Sequence, residues 1–238
     1  MAIAELAIDY DVSDEELAVV SKEFETTSPE AVLRWAFEEF ASDVALATGF
    51  GAEGCVLLDM VARISKDARI FYLDTDLLFP ETYELRDQLE ARYDIRFERV
   101  ATPLSLDAQA AALGERLWER EPDRCCRLRK VEPLRAVLNG LRAWITAIRR
   151  DQTPVRANAA IVERDPRFHL IKINPLAAWS SEDVWAYIKQ HDVPYNLLYD
   201  HAYGSIGCVP CTSPVQIGED SRAGRWPGSR KTECGLHK

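Results

Sequence analysis

The 238-residue chain contains no uninterrupted apolar run of 18 or more residues, which argues against a membrane-spanning helix. Its first ten residues lack both the basic segment and the long apolar segment of a secretory signal, so we expect a cytoplasmic protein. Internal repeats and low-complexity tracts are also missing. Hydrophobic residues nevertheless make up 47% of the chain, which is enough to bury the core of one large α/β domain.

The chain also lacks an excess of positive charge. Its formal net charge of −10 disfavours general binding of duplex nucleic acid through the phosphates. An acidic chain with local basic groups suggests a pocket for a small anion, although solvated surface arginines explain such groups equally well. The local groups are Arg149, Arg150 and Arg156, and Arg222, Arg225, Arg230 and Lys231.

Strand-like and helix-like segments alternate along most of the chain. After a helical lead-in, strands are predicted at 44–48, 69–73, 95–100, 143–148 and 169–173, with helices between the first four. This alternation predicts an α/β fold, a parallel sheet with helices on both faces. From His191 onward the chain is irregular and rich in Pro, Gly, Tyr and Arg, which favours a functional segment. We expect one domain with a lead-in over 1–40, a core over 41–205 and a cysteine-rich tail over 206–238.

A glycine-bearing turn, Thr48-Gly-Phe-Gly-Ala-Glu-Gly54, joins the first strand to its helix. Glycines let the backbone approach a phosphate, and a helix N-terminus supplies amide donors. The turn matches neither the dinucleotide fingerprint nor a Walker loop. On this pattern alone, a tight turn without a ligand is the better interpretation.

Six cysteines are present, and without an export signal a disulfide scaffold is the weaker interpretation. Cys125 and Cys126 are poor disulfide partners, since adjacent Cα atoms lie only about 3.8 Å apart, less than the usual span of roughly 4.4–6.8 Å. Together with Cys208 and Cys211 they supply four thiolates, which suit either zinc or a [4Fe–4S] cluster. Spacing does not choose between the two, although a vicinal pair is unusual for zinc.

The remaining cysteines differ in context. Cys234 lies beside a glycine, near His237 and shortly after basic residues, so it is a candidate reactive thiol, whereas a stray thiol is the default in a short tail. Cys55 follows the glycine turn and is predicted to be a small buried hydrophobe. Three tryptophans, Trp144, Trp179 and Trp185, are predicted to be core residues rather than substrate platforms.

Several motifs occur in order along the chain. They are Cys-Cys-x-x-x-Lys from Cys125, Arg-Arg-Asp-Gln-x-Pro from Arg149, Gly-Cys-x-Pro-Cys-Thr from Gly207, Arg-x-Gly-Arg-Trp from Arg222, Glu-Cys-Gly-Leu-His from Glu233, and the segment 73–82. Together these motifs resemble those of the assimilatory adenylyl-sulfate (APS) reductases of the phosphoadenylyl-sulfate (PAPS) reductase family. The resemblance runs from about Leu46 to His237 and implies an adenine-nucleotide α-hydrolase-like fold with an ATP pyrophosphatase-type phosphate loop.

The resemblance also implies roles for individual residues. Cys234 would be the nucleophile, with His237 in the same active-site tail and Lys130 between cluster and substrate. The [4Fe–4S] cluster would be held by Cys125, Cys126, Cys208 and Cys211. Substrate contacts would come from Thr48, Gly49, Phe50, Gly51 and Ala52 of the phosphate loop and from Arg156, Arg222 and Arg225. Gly54 departs from the family, because many relatives carry Asp there.

The implied activity is reduction of adenylyl sulfate to sulfite and AMP, in assimilatory sulfate reduction and cysteine biosynthesis. Cys234 would form an S-sulfocysteine that thioredoxin or a similar dithiol then resolves. Three alternatives remain: a reductase of 3′-phosphoadenylyl sulfate or of both nucleotides, an ATP pyrophosphatase-type adenylating enzyme, and a non-catalytic zinc or iron–sulfur module. Neither nucleic acid nor membrane is an expected partner, and a homo-oligomer stays open.

Overall fold

The structure is a computed structural model that describes residues 12–229 and 231–237. The start of the predicted lead-in, including the stretch examined for a secretory signal, lies outside the described residues, as does Arg230. Nine α-helices occur in the described part: α1 Asp14–Phe24, α2 Pro29–Phe40, α3 Ala52–Ile64, α4 Pro80–Tyr93, α5 Leu106–Leu113, α6 Leu117–Arg120, α7 Pro122–Cys126, α8 Glu132–Leu138 and α9 Ser181–His191.

Serine side chains cap the N-termini of α1, α2 and α9. Ser13 and Glu16 form a reciprocal capping box at α1, and Ser180 and Asp183 form another at α9. At α2 the hydroxyl of Ser28 accepts the amide of Ala31, and Pro29 occupies the first turn. Each cap satisfies amides that a helix N-terminus otherwise leaves unpaired.

A six-stranded sheet forms the centre of the fold, in the order β3-β2-β1-β4-β6-β5. The predicted α/β class is confirmed, with one edge strand, β5, running antiparallel to its neighbour β6. The strands are β1 Val44–Thr48, β2 Arg69–Asp74, β3 Glu98–Ala101, β4 Ala143–Ile145, β5 Val162–Asp165 and β6 Leu170–Ile173.

Two predicted strand boundaries were wrong by three residues and three others by one residue, and β5 was not predicted. The strand expected at 95–100 begins at Glu98, because pairing with β2 starts there, although Ile95 and Phe97 are buried before it. The strand expected at 143–148 ends at Ile145, because its registers with β1 and β6 both stop at that residue. The apolar residues after it are buried by tertiary packing outside the ladder.

Helices cover both faces of the sheet. On one face, alternate residues such as Leu46 and Ile145 pack with α1, α2, α3, α4 and α9 in the larger apolar core. On the other face, Ala45 and Trp144 pack with α8 and with Leu236 of the chain's end. Among the described residues, no helix has both the length and the apolarity needed to span a bilayer.

The strand order reverses beside β1. β2 and β3 follow on one side of it, and β4 lies on the other side. In an open parallel sheet such a reversal opens a crevice beyond the carboxyl ends of the two diverging strands. The fold therefore places Thr48, at the end of β1, and Thr146, just after β4, at the mouth of one crevice.

Asp59 is a buried carboxylate that joins three helices of the larger core. It is 1% exposed and accepts hydrogen bonds from the hydroxyls of Tyr93 on α4 at 3.0 Å and Tyr187 on α9 at 2.8 Å. Arg63 contributes an ion pair at 2.8 Å. The three partners satisfy a charge that would be costly to bury alone.

We expect Asp59→Ala to lower the free energy of unfolding by about 3 kcal/mol, because it strands two tyrosine hydroxyls and leaves Arg63 without its partner. Denaturant unfolding measures the change. Asp87→Ala on α4 is the matched control, since that carboxylate is 65% exposed and pairs with Arg86 at the surface. Its loss should cost no more than about 1 kcal/mol. Equal losses in the two variants would contradict this account of the helix layer.

Candidate active site

The glycine turn after β1 is ordered by its own side chains. The hydroxyl of Thr48 accepts a hydrogen bond from the backbone amide of Phe50 at 3.1 Å, and Phe50 adopts a left-handed conformation with φ of 56°. Gly51 precedes α3, and the first helical amide, that of Ala52, donates to the hydroxyl of Tyr199 at 3.2 Å. The turn therefore presents backbone and small side chains at a helix N-terminus, where amide donors favour anions.

Not every predicted residue of the turn faces the crevice. Thr48, Gly49 and Gly51 line the cavity described below, whereas Phe50 and Ala52 do not. Phe50 is 1% exposed, and its ring packs against Tyr72 and Phe97 in the core. The left-handed backbone conformation at Phe50 directs its side chain into the larger apolar core. The sequence of the turn does not reveal this conformation.

The crevice at the strand reversal is a cavity of about 240 Å³, many times the space that one water molecule needs. Nine predicted site residues line it: Thr48, Gly49, Gly51, Lys130, Arg156, Arg222, Arg225, Cys234 and His237. They come from the β1 turn, the segment after α7, the segment after β4 and the final thirty residues. The cavity thus gathers groups that lie up to 189 positions apart in the sequence.

The cavity lining favours an anion. Its described charged groups are four cations, Lys130, Arg156, Arg222 and Arg225, and one carboxylate, Glu53, which is already paired with Arg149 at 3.0 Å. Several buried polar atoms of lining residues also have no hydrogen-bond partner within the described part of the chain. These atoms are Nε of Arg222, Nε of Arg225, Nε1 of Trp144 and Nδ1 of His237.

The first three of these atoms are donors only, so a ligand that supplies acceptors would satisfy them. A buried donor without a partner costs free energy, and native proteins retain few of them without a reason. Trp144 is 1% exposed, as the prediction of a core residue requires, yet it also lines the cavity. Trp179 and Trp185 are partly buried against the larger core and lie outside the cavity lining.

The segment that carries Cys234 is tied down by a buried ion pair. Glu233, whose side chain is fully buried, receives two hydrogen bonds from Arg156, one from Nε at 2.9 Å and one from Nη2 at 2.8 Å. Thr153 donates a third at 3.0 Å, and Arg222 lies 3.4 Å away. Burial raises the pKa of Glu233, but the hydrogen bonds and positive charge of Arg156 outweigh it and hold the pKa below its usual value.

The residues after Cys234 are held separately. Gly235 has φ of 93°, a conformation that suits glycine, and its carbonyl oxygen accepts a hydrogen bond from Arg167. The ring of His237 stacks on Trp144 with centroids 5.7 Å apart. Burial, reinforced by Arg156 and other cations, lowers the pKa of His237 well below its usual value, so the imidazole is neutral.

Four cysteines share a second, smaller cavity. Cys125 and Cys126 at the end of α7, and Cys208 and Cys211 in the irregular segment, line it together with Trp226 and are all buried. Burial, and then the neighbouring sulfur atoms, raise the pKa of Cys125 to about 12 and that of Cys211 to about 11. Within residues 12–229 and 231–237, no three His, Cys, Asp or Glu side chains form a ready metal-binding group.

The donor set of this second cavity nevertheless fits a soft metal centre. All four side chains are thiols, none is joined in a disulfide among the described residues, and the hydroxyl of Thr75 lies 3.2 Å from Sγ of Cys208. Four sulfur ligands are those that iron–sulfur clusters and structural zinc prefer. The sixth cysteine, Cys55, is fully buried in the larger core, and burial raises its pKa.

Lys130 and Trp226 form part of the wall between the two cavities, since both residues line both. Burial lowers the pKa of Lys130, but interaction with the sulfur atoms of Cys208, Cys234 and Cys126 outweighs it, so the pKa is raised and the amine is protonated. A five-residue π-helical turn, Arg127–Val131, carries Lys130. The hydrogen bonds of a π-helix join residues five apart, which widens the turn, and Lys130 lines the smaller cavity together with Cys125 and Cys126.

Sequence reasoning missed four residues of the site. Glu233 and Gln152 bind the arginine at 156, Tyr199 binds the β1 turn, and Arg167 binds the tail. Glu233 and Gln152 stand inside motifs that were identified, so their position was a usable signal. Tyr199 and Arg167 carry no such signal, because their contacts join segments 147 and 68 residues apart.

Gly54 is a position where a side chain would disturb the turn. A Cβ built there would lie 2.8 Å from Oγ1 of Thr48, which already accepts the amide of Phe50, whereas a Cβ at Gly49 would meet no described atom within 4 Å. We therefore expect Gly54→Ala to lower the free energy of unfolding by about 1–3 kcal/mol and Gly49→Ala to change it by less than about 1 kcal/mol. Thermal or denaturant unfolding of the two variants checks the contrast, and a more damaging change at Gly49 would refute it.

Comparisons with known proteins identify the family. Residues 43–214 match the model of the phosphoadenosine phosphosulfate reductase domain. The chain is 51% identical over 226 residues to the adenosine 5′-phosphosulfate reductase of Salinibacter ruber, covering 94% of this chain and 90% of that one. It is 43% identical over 238 residues to the enzyme of the same name from Staphylococcus epidermidis, covering 100% and 98%.

Solved structures give the same fold. Phosphoadenylyl-sulfate reductase from Candida auris, in a phosphate complex, superposes with a TM-score of 0.77 at 33% identity over 88% of this chain and 100% of that one. The NH3-dependent NAD synthetase of Campylobacter jejuni, at 12% identity and a TM-score of 0.52 over 83% and 80%, shows a likeness of fold alone. The resemblance inferred from the motifs is confirmed, and the chain belongs to the phosphoadenosine phosphosulfate reductase family.

Proposed function

We propose that this protein reduces adenylyl sulfate to sulfite and AMP, with Cys234 as the nucleophile. The observation that carries the proposal is one cavity that joins the Cys234 thiol to a phosphate-type turn and to arginine donors without partners. Adenylyl sulfate has the matching parts: an adenosine, a phosphate and a sulfate whose sulfur atom accepts a nucleophile. Relatives that share 43–51% of their residues with the chain carry the name of this activity.

The first step would be attack of the Cys234 thiolate on the sulfate sulfur. A sulfur–sulfur bond forms, the bond between that sulfur and the bridging oxygen breaks, and AMP leaves with the electron pair. Nε–H groups of Arg222 and Arg225 and the ammonium of Lys130 would stabilise the charge that grows on the phosphate and sulfate oxygens. His237, being neutral and stacked on Trp144, would shape the pocket rather than add charge.

The second step would release sulfite from the S-sulfocysteine. A dithiol such as thioredoxin supplies two electrons: one of its thiolates attacks Sγ of Cys234, and sulfite departs as the leaving group. The resulting mixed disulfide is resolved by the second thiol of the reductant, which restores Cys234. Such reductants stay reduced in the cytoplasm, where we propose that the reaction runs.

A [4Fe–4S] cluster is the proposed resident of the second cavity, held by Cys125, Cys126, Cys208 and Cys211. When bound, it would supply a fixed charge and a rigid support next to Lys130. The support for this assignment is the all-thiol donor set and the wall that the two cavities share. Zinc is the alternative occupant for the same four donors.

The nucleophile can be tested directly with adenylyl sulfate labelled on its sulfate. We expect the wild type to retain about one label per chain, to release it on treatment with a dithiol, and to form sulfite with reduced thioredoxin. Cys234→Ser should retain no label, because its hydroxyl is a far weaker nucleophile. Cys55→Ala is the matched control, since that thiol is buried outside both cavities, and it should label like the wild type.

The same assay run with 3′-phosphoadenylyl sulfate tests the neighbouring activity, which the Candida auris relative bears in its name. A higher kcat/KM with the 3′-phosphorylated nucleotide would reassign the substrate and keep the mechanism. Pyrophosphate release from ATP, without label on Cys234, would point instead to an adenylating enzyme. Sulfite formation undiminished in Cys234→Ser would end the proposal.

The cluster can be tested without any assay of activity. Protein purified without air is expected to be brown, with iron and acid-labile sulfide in about equal amounts, near four of each per chain. Cys208→Ser should lose most of both, while Cys55→Ala keeps them. One zinc per colourless chain would show that the four thiols hold a single ion.

A further inference from the structure

Arg156 differs from the other two arginines of the cavity in how its donors are used. Its Nε and Nη2 both donate to Glu233, and its Nη1 donates to the side-chain oxygen of Gln152. Every nitrogen of its guanidinium therefore already has a partner within the protein. Arg222 and Arg225, in contrast, each retain a buried Nε without a partner among the described residues.

The Arg156–Glu233 pair joins two parts of the site that are distant in the sequence. Arg156 lies in the turn segment after β4, and Glu233 precedes Cys234 at the end of the chain, 77 residues away. The Glu233 side chain is 0% exposed and that of Arg156 is 9% exposed. A two-bond arginine–carboxylate contact fixes direction as well as distance, so it restrains the backbone at 233 and the thiol one residue later.

We propose that Arg156 is a positioning residue that acts on Cys234 through Glu233, while Arg222, Arg225 and Lys130 bind the substrate's anionic groups. The inference rests on the proposed function and revises the substrate-binding role that the family resemblance implies for Arg156. Its physical basis is geometric: Glu233 takes its two shortest hydrogen bonds from Arg156 and only a longer contact, at 3.4 Å, from Arg222, while Arg222 and Arg225 each keep a buried Nε without a partner among the described residues. The Nε–H and Nη2–H groups that donate to Glu233 become available to a substrate oxygen only if Glu233 is displaced, and this would leave a carboxylate buried without its partner.

The substitutions Arg156→Gln, Glu233→Gln and the double variant form a double-mutant cycle. Single-turnover formation of the S-sulfocysteine at saturating adenylyl sulfate is expected to slow about 10–100-fold in each single variant, since small displacements of a reacting atom have effects of this size. The double variant should be no slower than the worse single one, because it removes both charges and leaves neither buried alone. Effects that multiply in the double variant would overturn the proposal.

Substrate affinity separates positioning from binding. Measured in a Cys234→Ser background, which cannot form the adduct, the Kd for adenylyl sulfate should change less than about 3-fold with either substitution. A loss of affinity of 10-fold or more with Arg156→Gln, present also when residue 233 is already Gln, would make Arg156 a direct ligand of the substrate. The expected pattern is therefore a lower rate at constant affinity.

Tail docking gives a readout that does not need the reaction. Trypsin cleavage after Lys231, followed by mass spectrometry, should quicken several-fold in Arg156→Gln and in Glu233→Gln, because the following residues lose their anchor. Arg150→Gln is the matched control: Arg150 is a neighbouring arginine that also pairs with a glutamate, Glu25, but outside the cavity, so its loss should leave cleavage, affinity and rate unchanged. Unchanged cleavage in the two test variants would refute the anchor.

Absence of any S-sulfocysteine adduct in the wild type would contradict the proposed function instead. The trypsin assay does not depend on that reaction, so it would still decide whether the Arg156–Glu233 pair holds the tail.

Discussion

A carboxylate taken fully out of water must be matched by positive charge, and this constraint organises the end of the chain. Glu233 meets it through Arg156 and, at longer range, Arg222, and its pKa stays low although burial opposes ionisation. The same contact restrains the residue before Cys234, so the backbone next to that thiol is held by an interaction that does not involve sulfur. Together with Gln152 it engages every guanidinium nitrogen of Arg156, so that the unpartnered guanidinium nitrogens among the described lining residues belong to Arg222 and Arg225.

The parallel sheet explains why these groups meet at all. The reversal of strand order beside β1 leaves the carboxyl ends of β1 and β4 at one crevice, and different functional groups follow the two strands. β1 ends in the turn at Thr48, whose small residues expose a helix N-terminus. β4 leads into the segment that bears Arg156, and the irregular chain after α9 closes the crevice from above with two further arginines and the tail. The sheet fixes the position of the crevice, and the segments outside the sheet carry the charged side chains that line it.

Local sequence predicts the parts of this architecture that local physics decides. The strand at 44–48 and the glycine turn follow from short-range patterns, and motif order was enough to indicate the family. β5 was missed because Val-Glu-Arg-Asp offers a single apolar residue, and its strand state depends on pairing with β6. The inward turn of Phe50 and the contact between Arg156 and Glu233 were also hidden, because a backbone angle decides the first and a contact across 77 residues decides the second.

The two cavities are chemically distinct but share a charge. Lys130 and Trp226 line both, so a single ammonium lies near the thiols of one cavity and Cys234 of the other. The π-helical turn after Cys126 makes this possible, because its wider spacing returns the lysine to the side that carries the vicinal cysteines. Because burial raises the pKa of Cys125 to about 12 and that of Cys211 to about 11, these two thiols are neutral without a metal, and coordination to a metal centre would deprotonate them. An anion that enters the larger cavity would then share the positive charge of Lys130 with the metal-bound sulfur atoms.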